Sequence, residues 1–117
     1  MPTSRSKAFS RFDVVVVPFP CSNRLAEKRR PAIVVSARQL TAKYGLVWLV
    51  MVTSADNRRW DSDIAISDLA KAGLPVPSLV RPAKVATVDA ERVLQRIGRL
   101  TAKDARTVEA QFKQFAD

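Results

Sequence analysis

A chain of 117 residues with 20 Lys+Arg, 11 Asp+Glu and no histidine carries a formal charge of +9. That length suits one domain with a single well-buried core, and 47% hydrophobic residues with only 3 glycines exclude a disordered or collagen-like chain. The missing histidine removes Cys/His zinc sites, a Ser-His-Asp triad and paired-imidazole ribonuclease chemistry.

Residues 1–10 are polar, basic and aperiodic and read as a flexible arm, followed by one domain over 11–117. Residues 13–19 (DVVVVPF) form a β-branched run, hence a strand, ended by Pro18 and Pro20. It is the first long apolar run, and no run approaches about 18 residues, so neither a signal peptide nor a membrane span is expected. Residues 21–29 are polar with mixed charge and read as a loop. The lone Cys21 within it has no intrachain partner for a disulfide, which points to a reducing, cytoplasmic setting.

Residues 31–36 (PAIVVS) read as the second strand, and 37–44 as a helical turn stopped by Gly45. Residues 46–53 (LVWLVMVT) are the most apolar strand and the expected centre of a sheet, with Trp48 in the core. A polar turn at 56–59 leads to a short strand at 63–67, then a brief turn at 68–73 closed by Gly73. Residues 79–88 read as a strand in which Pro82 favours an edge or a bulge. The segment 92–100 (RVLQRIGRL) fits helix or strand, and Gly98 tips the reading to strand. A closing helix spans 103–115, with Thr101 as N-cap and Val108, Phe112 and Phe115 along one face. Six short strands and one closing helix make the chain mainly β, a small, strongly bent barrel or half-barrel.

An excess of positive charge points to an anionic partner. Seven cations against two carboxylates fall within the first 30 residues, so over half the excess sits there. Arg30 precedes Pro31, which pushes it out of the α region and makes it extended where loop meets strand. Period-2 alternation then sets Arg30, Ala32 and Val34 on one face and Pro31, Ile33 and Val35 on the other. A guanidinium at such a mouth offers a rigid fork of donors to a phosphate. The competing reading is an arginine that closes a strand end against a carboxylate.

Thr53 and Ser54 leave the apolar strand with hydroxyls that suit a phosphate or ribose, or their own turn backbone. Arg81 and Lys84 flank an expected edge strand. Asp56, Asp61, Asp63 and Asp68 cluster in sequence, and Asp61 and Asp63 alternate onto one face, but exposed turn acids fit them better than a metal nuclease. Trp60, between Arg59 and Asp61, is expected at the surface, where it suits stacking on a base or simple packing.

Together these segments resemble the MazF/PemK family of type II toxin endoribonucleases. The resemblance is carried by 13–20 (DVVVVPFP), 28–36 (KRRPAIVVS), 52–54 (VTS), 73–74 (GL), 78–84 (SLVRPAK), 87–89 (TVD) and 97–100 (IGRL), across nearly the whole chain. It implies the compact barrel shared by MazF, PemK and CcdB toxins, normally a homodimer. It further implies cleavage of single-stranded mRNA without a metal or other cofactor, to a cyclic phosphate and a 5′-hydroxyl. The implied partner, besides RNA, is an antitoxin with an acidic tail that covers the basic RNA site.

By that resemblance Arg30 and Thr53 are the catalytic pair, with Arg29, Ser54, Arg81 and Lys84 in RNA binding. Two features depart from the family pattern. PemK-type members have a first-loop histidine and an aspartate two residues after the edge-strand arginine, where this chain has no histidine and Ala83. Phe12 stands where the family usually has glycine before Asp13, a difference read as structural.

Two rival functions share the fold. A CcdB-like toxin that poisons gyrase by contact relies on a C-terminal Trp-Gly-Ile, whereas this chain ends Gln114-Phe115-Ala116-Asp117. A barrel that binds RNA without cutting it agrees with the missing histidine and with Ala83.

Overall fold

The computed structural model describes residues 8–20 and 27–116. Six strands and three helices follow in order: β1 Asp13–Pro20, β2 Glu27–Val34, α1 Arg38–Tyr44, β3 Leu46–Ser54, β4 Ile64–Ala65, α2 Leu69–Ala72, β5 Ser78–Asp89, a 3₁₀ turn Ala90–Arg92, β6 Gln95–Arg99 and α3 Ala102–Ala116. The strands form one curled half-barrel sheet in the order β4-β5-β3-β2-β1-β6, every neighbouring pair antiparallel. The mainly β architecture with a closing helix is thus the one expected.

The β-branched run in β1 and the apolar run in β3 bury both faces of the sheet, and two apolar layers result. One contains Val14, Ile33, Val50, Val52 and Val80, and is covered by Ala72 of α2 and by Val108 and Phe112 of α3. The other, with Val15, Val17, Ala32, Val34, Leu49 and Met51, lies in the curl and is closed by Phe9, Ala90 and Val93. Residues 1–7 of the expected arm lie outside the described residues. Phe9 is buried and the Ser10 amide donates to Asp13 at 2.9 Å.

Three boundaries or burials differ from expectation. β2 starts at Glu27 rather than Pro31, because Lys28, Arg29 and Arg30 pair with Phe19, Pro18 and Val17 of β1, and the ladder satisfies a polar stretch's backbone as well as an apolar one's. Cys21 and the rest of the connecting segment to residue 26 lie outside the described residues. Trp48 is 42% exposed instead of core. It pairs with the exposed Thr87 near the far end of the sheet, beyond the cover of α2 and α3. Phe115 is 55% exposed, since residues 113–116 of α3 run on past the sheet.

Phe12 adopts φ +71°, the left-handed region that costs a non-glycine residue about 1–2 kcal/mol. Its amide donates to the Val34 carbonyl at 2.6 Å, its carbonyl accepts from the Leu100 amide at 3.1 Å, and its ring packs on the helix-covered layer. These contacts hold a conformation that glycine would adopt freely.

Pro82 has the role its sequence position suggested. Val50 pairs with Val85 and Met51 with Arg81, so Pro82, Ala83 and Lys84 have no counterpart on β3 and form a bulge. Gly98 of β6 passes so close to the Lys71 and Ala72 backbone that a side chain has no room there. α3 begins on a Thr101 hydroxyl that accepts from the Asp104 amide at 3.1 Å, as expected of its N-cap. The buried Asp104 carboxylate then accepts from both the amide and the hydroxyl of Ser67, tying α3 to the end of β4.

Candidate functional site

The last pair between β2 and β3 is Ala32–Met51. Two residues further along each strand are Arg30 and Thr53, past the end of the ladder, where β2 continues paired only to β1. Arg30 pairs with Val17 and alternates with Ala32, while Thr53 alternates with Met51, so both belong to the face of the curl. The face assignment for Arg30, Ala32 and Val34 is the one the alternation predicts. Met51 pairs with Arg81, which brings the β5 arginine to the same face, diagonally beside Thr53.

The six candidate residues therefore divide. Arg30, Thr53 and Arg81 share one face on three adjacent strands. Arg29 and Ser54, each next in sequence to one of them, point to the opposite face. Lys84 lies exposed in the bulge, displaced along β5 from Arg81.

Arg30 is exposed, and among the residues whose side chains are described no carboxylate engages its guanidinium. Thr53 is half-buried and its hydroxyl accepts from Asn57 Nδ2 at 2.5 Å. That bond uses one lone pair and leaves the hydroxyl proton for an outside acceptor. Ser54 caps its own turn instead, accepting from the Asp56 amide at 3.1 Å.

Arg81 is the arginine that closes against a carboxylate. Its Nε donates to both Asp63 oxygens at 3.1 and 3.2 Å, and its Nη2 donates to Asp63 Oδ2 at 2.8 Å and to the Arg58 carbonyl at 2.7 Å. The Trp60 ring covers one face of the guanidinium, 3.9 Å from Cζ to the ring centroid. Trp60 is at the surface as expected, and the packing it makes is on Arg81.

Asp63 is not an exposed turn acid: its side chain is fully buried. Burial pushes its carboxyl pKa up, but the Arg81 hydrogen bonds, the Trp60 amide and the nearby Arg59 charge outweigh this and hold it below the ordinary carboxylate range. The four aspartates of the cluster do not converge. Asp68 caps α2 by accepting from the Lys71 amide, Asp63 faces Arg81, and among the described residues no group of three or more potential ligands is placed to hold a metal ion.

Asn57 and Asp63 are the residues that sequence reasoning missed as partners of the site. Asn57 stands four residues from Thr53, a spacing common in any turn, and Asp63 stands 18 residues from Arg81, in the turn just before β4. Neither spacing marks a contact before the chain folds. A cavity of about 880 Å³ also exists, lined in part by Phe9, Arg38, Tyr44, Asp89 and Glu91. It opens at the Leu46 end of β3, which pairs with Asp89, and so lies away from Thr53.

A family model described as "PemK-like, MazF-like toxin of type II toxin-antitoxin system" matches residues 10–116. No curated protein matches the sequence significantly. Among solved structures, MazF from Deinococcus radiodurans is similar at 18% identity with a TM-score of 0.74, covering 93% of this chain and 96% of that one. A MazE-MazF complex from the same organism is similar at 16% identity and a TM-score of 0.75, with the same coverage. An endoribonuclease in complex with its cognate antitoxin from a mycobacterial species is similar at 15% identity and a TM-score of 0.72, covering 92% of this chain and 93% of that one. At these identities the structural likeness speaks for the fold alone. Among the described residues, no helix is long and apolar enough to cross a membrane.

Proposed function

Because the chain belongs to the PemK-like, MazF-like toxin family of type II toxin-antitoxin systems, we propose that it is an endoribonuclease acting on single-stranded mRNA at the face shared by Arg30, Thr53 and Arg81. The observation that carries this reading is the placement of an exposed Arg30 and a donor-ready Thr53 on one face, where the β2–β3 ladder ends.

In the proposed reaction the ribose 2′-hydroxyl attacks the adjacent phosphorus, forming a new P–O bond, and the bond to the 5′-oxygen of the next nucleotide breaks. The products are a cyclic phosphate and a 5′-hydroxyl, so no water is consumed and no metal is required. Negative charge builds on the non-bridging oxygens of the five-coordinate phosphorus. Arg30 meets that charge with its fork of donors, and the Thr53 hydroxyl donates a further hydrogen bond. Arginine stays protonated at neutral pH and does not take the 2′-hydroxyl proton. Asp63, the carboxylate on this face, is buried under Arg81 and committed to it. Rate enhancement on this scheme is electrostatic, and the protons lost by the 2′-hydroxyl and gained by the leaving 5′-oxygen exchange with solvent.

The same basic face suits an acidic antitoxin segment. Similar solved structures, a MazE-MazF complex and an endoribonuclease in complex with its cognate antitoxin, support that partner. We assign the chain the homodimeric, cytoplasmic state that goes with such a toxin.

The test is degradation of single-stranded transcripts in the presence of EDTA, comparing the wild type with Arg30→Ala. Loss of one transition-state donor lowers the rate by about 10²–10³. Equal cutting by both proteins refutes the site, and no cutting by either refutes the enzyme. RNA binding that weakens steeply with salt but yields no products identifies a binding barrel instead.

A further inference from the structure

Arg81 is held on three sides. Asp63 engages its Nε and Nη2 edge, the Arg58 carbonyl takes a further Nη2 proton, and Trp60 covers one face of its plane. The seat is itself fixed, because the Trp60 amide donates to Asp63 Oδ2 at 2.9 Å and the Asp63 amide donates back to the Trp60 carbonyl at 3.0 Å. Arg59 Nη2 adds a bond to the Asp63 carbonyl at 3.3 Å. Of the five guanidinium protons, the two on Nη1 have no acceptor among the described residues. The Arg81 side chain is 12% exposed and belongs to the face that carries Thr53.

A buried ion pair is a poor device for stability alone, since two apolar side chains of similar volume serve as well or better. It is a good device for holding a cation in one orientation. Building on the RNA-cleaving reading above, we infer that Asp63 is a positioning residue of the RNA site: with Trp60 it seats Arg81 so that Nη1 is presented to a phosphate oxygen of the bound strand.

This role makes a prediction opposite in sign to that of net charge. Asp63→Asn removes a negative charge from beside a cationic site, and charge alone then predicts tighter RNA binding. Loss of the seat predicts weaker binding, because the amide no longer accepts both bonds of the guanidinium edge.

The experiment measures binding of a short single-stranded RNA of mixed sequence, protected by 2′-O-methyl groups so that it is not cut, over a range of salt. For Asp63→Asn the expected result is about tenfold weaker binding and a salt slope reduced by about 0.7, the share of one phosphate contact on a single strand. In cleavage of an unprotected transcript, KM rises while kcat stays within a few-fold, since Arg30 and Thr53 are untouched. Arg81→Lys, which keeps the charge but has no planar fork to seat, gives the same loss and guards against a misfolded Asp63→Asn. Binding by a folded Asp63→Asn protein as tight as or tighter than the wild type overturns the inference, as does wild-type affinity in Arg81→Lys. If the wild type neither binds nor cuts RNA, the functional reading itself fails and this inference with it. Cutting by the wild type together with unaltered binding by both variants overturns the seat alone.

Discussion

Replacing Gly98 by alanine tests the joint between β6 and α2. A Cβ at Gly98 would sit 2.5 Å from the Ala72 carbonyl oxygen and closer still to the Ala72 carbonyl carbon and the Lys71 carbonyl oxygen. Ordinary contact begins near 3.4 Å, so one element must retreat by about 1 Å. The obstacle is main chain on both sides, with no flexible side chain to turn away. Inserting one methyl group into such a contact costs about 1–3 kcal/mol, and a rigid obstacle places the change in the upper half of that range. At about 4 °C per kcal/mol for a domain of this size, the midpoint falls by about 8–12 °C. Gly98 has an ordinary backbone conformation, so the loss reports the contact alone.

Gly73, which meets the Ile97 backbone in the same joint and has φ +76°, carries a second penalty. Gly73→Ala should lose about 1 kcal/mol more, for the left-handed conformation. The assay is thermal and urea unfolding followed by far-ultraviolet circular dichroism at one protein concentration, because an oligomer's midpoint depends on concentration. A Gly98→Ala protein within about 0.5 kcal/mol of the wild type would show that α2 moves freely and that the joint is no constraint.

The Asp63 carboxyl is held below its ordinary value of 3.8, so its contribution to stability is complete above the unfolded-state pKa and is lost as the pH falls through the lower folded-state value. Urea midpoints measured from pH 5 down to pH 2.5 should therefore fall less steeply for Asp63→Asn than for the wild type, and equal slopes would contradict the assignment. Asp104→Ala leaves the Ser67 amide and hydroxyl without their acceptor at a buried position and costs about 1–3 kcal/mol in urea unfolding. Asp104→Asn, with one acceptor oxygen left, should lose less. Asn57→Ala releases the Thr53 hydroxyl from a surface turn, so stability stays within about 0.5 kcal/mol while transcript cleavage slows several-fold. Unchanged cleavage would show that Asn57 does not orient Thr53.

Much of the fold was legible because it depends on local signals. A β-branched run marked β1, an apolar run marked β3, Gly45 and Gly73 marked the ends of α1 and α2, Pro82 marked the bulge, and Thr101 marked the start of α3. The errors arose where pairing or cover overrode local character. The polar start of β2 joined the ladder because β1 offered partners, and the apolar Trp48 and Phe115 stayed exposed because no element reaches over them. The site was half legible. Alternation put Arg30 on the correct face, but bringing Thr53 and Arg81 to that same face needed the observed register.

The opening features, +9 and no histidine, were enough by themselves to exclude whole mechanisms and to call for an anionic partner, because charge and side-chain chemistry are properties of composition. Composition treats all arginines alike. Only the tertiary structure separated Arg30, whose guanidinium meets no carboxylate among the residues whose side chains are described, from Arg81, seated on Asp63 beneath Trp60. That distinction comes from contacts between β5 and the turn that leads into β4, 18 residues apart in the chain, which no local pattern encodes.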